Sequence, residues 1–235
     1  MARPVARGRA GTAVSDEPPP FLDALSPAAL AVLTSRAVGR RYQRGSAIFH
    51  QGDRADRVIV LRAGNVKVSF VTPEGKEVVF AFPARGEVLG ELSAIDGEPR
   101  SATVTAVDAV DALVLTAADF RHALESSHEL TLALLTNVAR RLRHSNRHRV
   151  EFGAHDTVGR VALRLLELAD RHGQVAEGGT RITLPLTQEE LAGWTGTSRE
   201  AVAKALRLLR ELGWVRTDRR QVTLLDPEAL RRRAL

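Results

Sequence analysis

The sequence predicts an α+β chain with a strand-rich N-terminal part, a long helix and a basic C-terminal part built around two short helices and a hairpin. Three observations carry this. Glycines 45, 52, 64, 75 and 86 fall 7, 12, 11 and 11 residues apart, a spacing of turns that fits several short strands closed into a sandwich or barrel. After Ala117 the apolar period changes from that of strands to that of a helix. Near the C-terminus, a capping box, a glycine turn and a second capping serine follow one another within twelve residues, Thr187 to Ser198.

Taken in order, residues 1–20 are small, dotted with arginine and end in Pro18-Pro19-Pro20, a stretch with nothing to bury and an expected disordered arm. The clearest strands are Val58–Leu61, Val66–Phe70 and Glu77–Phe80, with Thr72-Pro73-Glu74-Gly75 as the turn between the last two. Leu135, Val138, Leu142, Ser145 and Arg149 step by 3, 4, 3, 4, a heptad-like seam expected to pair two copies of the helix. A helix packed on its own sheet would show the same spacing. Gly153 is expected to interrupt this helix, with a hinge over 150–156. Asp156 is placed to cap a new amphipathic run through Val158, Val161, Ala162, Leu165, Leu166 and Leu168. The expected units are therefore 21–126, a helix and hinge over 127–153, and 154–235.

Thr187 and Glu190 form the capping box of a short helix that includes Gln188, Leu191 and Trp194. Thr195-Gly196-Thr197 turns the chain, and Ser198 caps a second helix whose apolar face is Val202, Ala205, Leu206, Leu209 and Leu212. This is the helix-turn-helix pattern. Its second helix presents Arg199, Glu200 and Lys204 at the end that enters the major groove, where Arg and Lys can bond guanine O6 and N7 and Glu can accept from cytosine N4. Trp214–Thr217 and Gln221–Leu224 form an expected hairpin, a wing with Arg219 and Arg220 at its tip beside phosphates. A solvated turn would look the same. Arg231-Arg232-Arg233 reads as a frayed basic tail.

Composition narrows the function classes. The 235 residues contain no cysteine, which removes disulfides, thiolate zinc sites, cysteine-held iron–sulfur clusters and cysteine nucleophiles. Lys+Arg 34 against Asp+Glu 28 gives +6, which favours a polyanionic partner. The basic excess leans to residues 145–235, with 16 Lys+Arg and 12 Asp+Glu, against 18 and 16 before them. No apolar run is long enough for a membrane span and no secretory signal is visible, so a cytoplasmic protein without a membrane partner is expected. No nucleophile–base spacing points to an enzyme. His144 and His148 are i,i+4 but lie among Arg141, Arg143, Arg147 and Arg149, so a basic solvated helix surface is expected there rather than a metal site.

One further segment carries ligand chemistry. In Gly90-Glu91-Leu92-Ser93 through Pro99-Arg100-Ser101, a helical turn near Glu91 would aim N–H groups at an anion. Arg100 adds a planar cation, Ser101 a hydroxyl and Glu91 an acceptor for a ligand hydroxyl. A sugar phosphate suits this set; so does a structural Glu–Arg salt bridge.

Gly90-Glu91-Leu92-Ser93 with Pro99-Arg100-Ser101-Ala102-Thr103 resembles the phosphate-binding cassette of the cyclic-AMP receptor protein (CRP/FNR) family. Ile48-Phe49-His50-Gln51-Gly52-Asp53 resembles its early β-roll segment. Ala139-Arg140-Arg141-Leu142 and Gly159-Arg160-Val161-Ala162 resemble the flanks of its dimer helix and hinge, and Thr187–Trp214 resembles its winged helix-turn-helix. The match spans about residues 21–226, with the motifs in order. It implies a cyclic-nucleotide-binding-like β-roll, a long dimerisation helix and a C-terminal winged helix-turn-helix acting as a homodimer on a two-fold double-stranded DNA site. It further implies cyclic AMP as allosteric ligand, Glu91 bonding the ribose hydroxyl, Arg100 and Ser101 the cyclic phosphate, and Gly90 and Leu92 forming the cassette backbone. Ser145 and Asn146 stand where members place threonine then serine on the base. Arg199 and Glu200 match the base-reading pair, and Lys204 replaces an arginine, which predicts a site related to TGTGA…TCACA with weaker discrimination at one guanine. The loop Gly173 to Thr180 lies where activators of the family touch RNA polymerase, but its sequence does not resemble theirs, which leaves activation or repression open.

Overall fold

The structure is a computed structural model that describes residues 19–234. The expected arm over 1–18 lies outside the described residues. Pro19 and Pro20 do not belong to it: Arg140 donates to the Pro19 carbonyl, and Pro20 packs against Gly86.

After a 3₁₀ turn at Phe21–Ala24 and helix α1 (Pro27–Thr34), eight strands build the roll: β1 (Val38–Tyr42), β2 (Ala47–Phe49), β3 (Arg57–Ala63), β4 (Val66–Val71), β5 (Glu77–Ala81), β6 (Val88–Leu89), β7 (Thr103–Ala106) and β8 (Val110–Thr116). Helix α2 (Glu91–Asp96) sits between β6 and β7. The strands pair antiparallel in two four-stranded sheets, β1-β8-β3-β6 and β2-β7-β4-β5. The two faces of β3 supply two cores. Val58 and Val60 point toward the helices with Phe21, Leu33, Phe120 and Leu130, and Ile59 and Leu61 point into the roll with Ile48, Phe49 and Val104. All three strands read from the sequence are present.

Helices α3 (Ala117–Ser126) and α4 (His128–Ala154) follow. Each begins with a side-chain cap, Thr116 accepting from Asp119 N and Ser127 from Leu130 N. The expected interruption at Gly153 does not occur. One exposed glycine costs a helix only about 1 kcal/mol relative to alanine, too little to end 27 hydrogen-bonded residues. The helix stops at Ala154 because His155 is extended and Asp156 caps α5 (Thr157–His172), its carboxylate accepting from Gly159 N at 2.9 Å. The seam also needs correction. Val138 packs against the roll's own core, while Leu132, Leu135 and Leu142 stand exposed.

The C-terminal part adds β9 (Gly173–Ala176), β10 (Gly179–Ile182), α6 (Gln188–Thr195), α7 (Arg199–Glu211), β11 (Val215–Asp218), β12 (Gln221–Leu224) and α8 (Pro227–Arg233). Its strands form one sheet, β11-β12-β10-β9. Gly173–Thr180 is thus a paired hairpin, not an open loop. Leu212 lies past the end of α7 and is exposed, outside the face predicted for it. The three C-terminal arginines are not frayed: they end α8, which buries Leu230, and Arg233 pairs with Asp156 at the α5 cap.

The two parts share a core. Val79 and Phe82 of the roll pack with Trp194, Ala192 and Leu165, the Phe82 and Trp194 rings meeting edge to face at 5.2 Å. Glycine is required at 193, where a Cβ would come within 2.9 Å of the Glu77 carbonyl. Lys67 lies 3.0 Å from Glu77 and 3.6 Å from Glu190 at the edge of this contact.

His172, at the end of α5, belongs to the same seam. Burial pushes its imidazole below the ordinary value of 6.5, against a hydrogen bond to the Phe82 backbone. The folded chain therefore binds fewer protons than the unfolded one below pH 6.5, so stability is full above that pH and falls as acid is added. Thermal melts at pH 7.5 and 5.5 are expected to show a drop that His172→Gln makes smaller; an equal drop in the variant would show that other groups cause it.

Candidate functional site

The roll places the cassette at the junction of β6, α2 and β7. Gly90 adopts φ 80° and has no room for a Cβ, which would lie 2.5 Å from Arg100 Nη1. Arg100 is buried, and its backbone is held by the predicted early segment: its N–H donates to Asp53 and its carbonyl accepts from Gly52. The guanidinium lies 4.4 Å over the Phe49 ring, donates to the Gly90 carbonyl at 2.9 Å and to the Arg57 carbonyl, and reaches Asp56 at 3.4 Å. Its Nε is buried without a partner, a donor that an anion could take. Ser101 is exposed beside it, and Leu92 is exposed on α2.

Glu91 is fully buried. The anticipated Glu–Arg salt bridge exists, but its arginine is Arg141 of α4, which donates to the Glu91 carboxylate at 2.6 Å. Beside it on α4, Arg140 and Asn137 donate to Glu87 at 2.6 and 3.1 Å. The Glu91 carboxylate is therefore bonded to the long helix. Sequence reasoning missed this because Glu91 and Arg141 are 50 residues apart. Ser145 and Asn146 lie farther along α4, exposed, and the single chain does not bring them to the cassette.

At the other end, the capping box forms as read: Thr187 accepts from Glu190 N at 3.1 Å, and Glu190 accepts from Thr187 N at 2.9 Å. Gly196 turns the chain with φ 61°, and Ser198 caps α7 by accepting from Ala201 N at 3.2 Å. Val202, Ala205, Leu206 and Leu209 are buried, so Arg199, Glu200 and Lys204 emerge together into solvent at the start of α7. Gln188 is exposed at the start of α6. Arg219 and Arg220 are exposed at the β11–β12 tip, Arg220 in the left-handed region at φ 59°. Among the described residues, no helix is long and apolar enough to cross a membrane.

A β-roll with a buried Arg–Glu cassette, joined by one helix to an exposed reading helix and wing, defines a DNA-binding regulator with a cyclic-nucleotide-binding domain. Residues 39–127 match the cyclic nucleotide-binding domain, and 159–233 match the Crp-like helix-turn-helix domain. A "CRP-like cAMP-activated global transcriptional regulator" of Mycobacterium tuberculosis is 36% identical over 210 residues, covering 89% of this chain and 94% of the relative. The "cAMP-activated global transcriptional regulator CRP" of Salmonella typhimurium is 28% identical over 172 residues, covering 73% and 81%. A CRP-family transcriptional regulator of Thermus thermophilus superposes with TM-score 0.73 at 28% identity, covering 83% of this chain and 96% of that one. The chain belongs to the CRP/FNR family of transcriptional regulators, a family of DNA-binding dimers rather than enzymes.

Proposed function

We propose that this regulator is gated by cyclic AMP. The ligand lies at Gly90, Glu91, Leu92, Arg100 and Ser101, with Ser145 and Asn146 of the paired α4 helices meeting the base. The sensor spans 21–126, the dimer helix runs to Ala154, and the DNA-binding unit follows the break at His155. The observation that carries the reading is the Glu91–Arg141 bond. A ribose hydroxyl donating to Glu91 must share or displace Arg141, so occupancy is felt directly by α4, and a ligand that favours one arrangement of that helix shifts its population. Arg100 supports the phosphate through its unpartnered Nε–H. Thr187, Gln188, Ser198, Arg199, Glu200, Lys204, Arg219 and Arg220 form the DNA face, two copies reading half-sites about one helical turn apart.

The alternative is a regulator of the same fold that is ligand-independent or senses another small molecule. One observation favours it: Glu91 pairs with Arg141 and Arg100 bonds the Gly90 and Arg57 carbonyls, contacts within the protein that a ligand would have to share. Anisotropy of a labelled TGTGA…TCACA duplex separates the two. Cyclic AMP is expected to raise affinity at least tenfold; equal affinity with and without it would sink the gating proposal. In the same assay, substitution of the guanine facing Lys204 is expected to cost less than substitution of the one facing Arg199, because lysine lacks the bidentate fork, worth about 1–3 kcal/mol. Equal penalties would remove the assigned role of Lys204.

A further inference from the structure

A second polar cluster joins α4 to α5. His144 and His148 of α4 turn their Nε2 atoms toward the carboxylate of Glu167 on α5, at 3.1 and 3.6 Å. Their rings are tilted at 54° with centroids 4.1 Å apart, and the three candidate ligand atoms lie within 4.8 Å of one another. This overturns the expected solvated surface, since the three side chains are only 22%, 19% and 16% exposed. Arg164 donates to Glu167 at 2.6 Å and also pairs with Glu151, while lying against His148 Nε2. A guanidinium can only donate, so in this contact Nε2 accepts with its lone pair, the same lone pair that a metal takes when Arg164 yields it.

We propose that His144, His148 and Glu167 bind a zinc-class divalent ion, with water completing the shell, and that the ion clasps α4 to α5 across the break at His155. The geometry suits it. A tetrahedron of about 2.0–2.1 Å bonds has edges of about 3.3 Å, between the two nitrogen–oxygen separations seen. Two imidazoles and one carboxylate are the donor set such an ion takes. The charge suits it too. Arg164 with Glu151 and Glu167 leaves one net negative charge beside the two imidazoles, and Arg164 keeps Glu151 when Glu167 turns to the ion.

The site joins the dimer helix to the first helix of the DNA-binding unit, and Arg164 continues the link to Trp194, 5.4 Å away, which packs on Phe82 of the roll. Zinc binds the arrangement of α4 and α5 described above and so opposes any arrangement that separates them.

The test titrates zinc into metal-stripped full-length protein against a chromophoric chelator, without cyclic AMP or DNA. One ion per chain is expected, with affinity falling at least a hundredfold in the His144→Gln/His148→Gln double variant and unchanged in His50→Gln/His122→Gln. Thermal melts supply a second readout, because Glu167→Gln strips Arg164 of a partner and can fail to fold. Zinc is expected to raise the melting temperature of the wild type and not that of His148→Gln. Substoichiometric binding, or full affinity in the double variant, would overturn the proposal and mark the binding as adventitious histidine capture.

Discussion

Arg100→Gln is expected to abolish cyclic AMP binding, with at least a hundredfold loss of affinity. The guanidinium is the buried cation of the cassette, and removing one partner of a buried, hydrogen-bonded charge pair costs about 2–5 kcal/mol. The variant also loses stability. The same guanidinium bonds the Gly90 and Arg57 carbonyls, and each carbonyl left unpaired costs about 1–3 kcal/mol. Calorimetry should therefore be run in the cold, with circular dichroism confirming the fold. Arg100→Lys keeps the charge but not the fork, and is expected to bind measurably though weakly. Saturable binding at wild-type affinity in a folded Arg100→Gln would move the ligand out of this cassette.

Leu135→Asp combined with Leu142→Asp is expected to convert the dimer to a monomer. The two leucines are 62% and 61% exposed on one chain, seven residues apart on α4. Burying each against a partner contributes about 1.5–3 kcal/mol, and two chains supply four. Aspartate removes that gain and sets like charges across the seam. A monomer reads one half-site alone and loses the effective concentration that ties the second to it, which costs about a hundredfold or more in DNA affinity. Sedimentation equilibrium and anisotropy on the two-fold duplex check both parts. A persistent dimer would place the interface elsewhere than on this face of α4.

These two predictions differ in how far the sequence reached. Arg100 and Glu91 were legible as a motif, and so were their neighbours Gly90 and Ser101. The partner of Glu91 was not, because Arg141 arrives on an element 50 residues later. The seam was legible as a period of 3 and 4, but a period does not say what the stripe faces. Val138 turned out to serve the roll's core, and the exposed leucines are 132, 135 and 142. A stripe that meets its own sheet and one that meets a second chain carry the same spacing. Gly153 does not end the helix, because one glycine costs only about 1 kcal/mol relative to alanine; the stop is set by the cap at Asp156.

What the sequence by itself determined is whatever contacts reaching only a few residues decide. The capping box at Thr187 and Glu190, the Gly196 turn, the Ser198 cap and the Thr72–Gly75 turn all form as spelled, since each closes a hydrogen bond or sets a dihedral within four residues. The exposed trio Arg199, Glu200 and Lys204 follows from the apolar face opposite it. Only the tertiary structure decided which distant charges meet. Glu167 sits on a helix after the break, and it alone turns two histidines among arginines from a solvated surface into a three-ligand cluster. Arg233 finds Asp156 across 77 residues, and Trp194 finds Phe82 across the two units. Charge and apolar area are written in the sequence without their partners. The partners are chosen when the roll, α4 and α5 pack, and that choice depends on the whole buried core rather than on any local pattern.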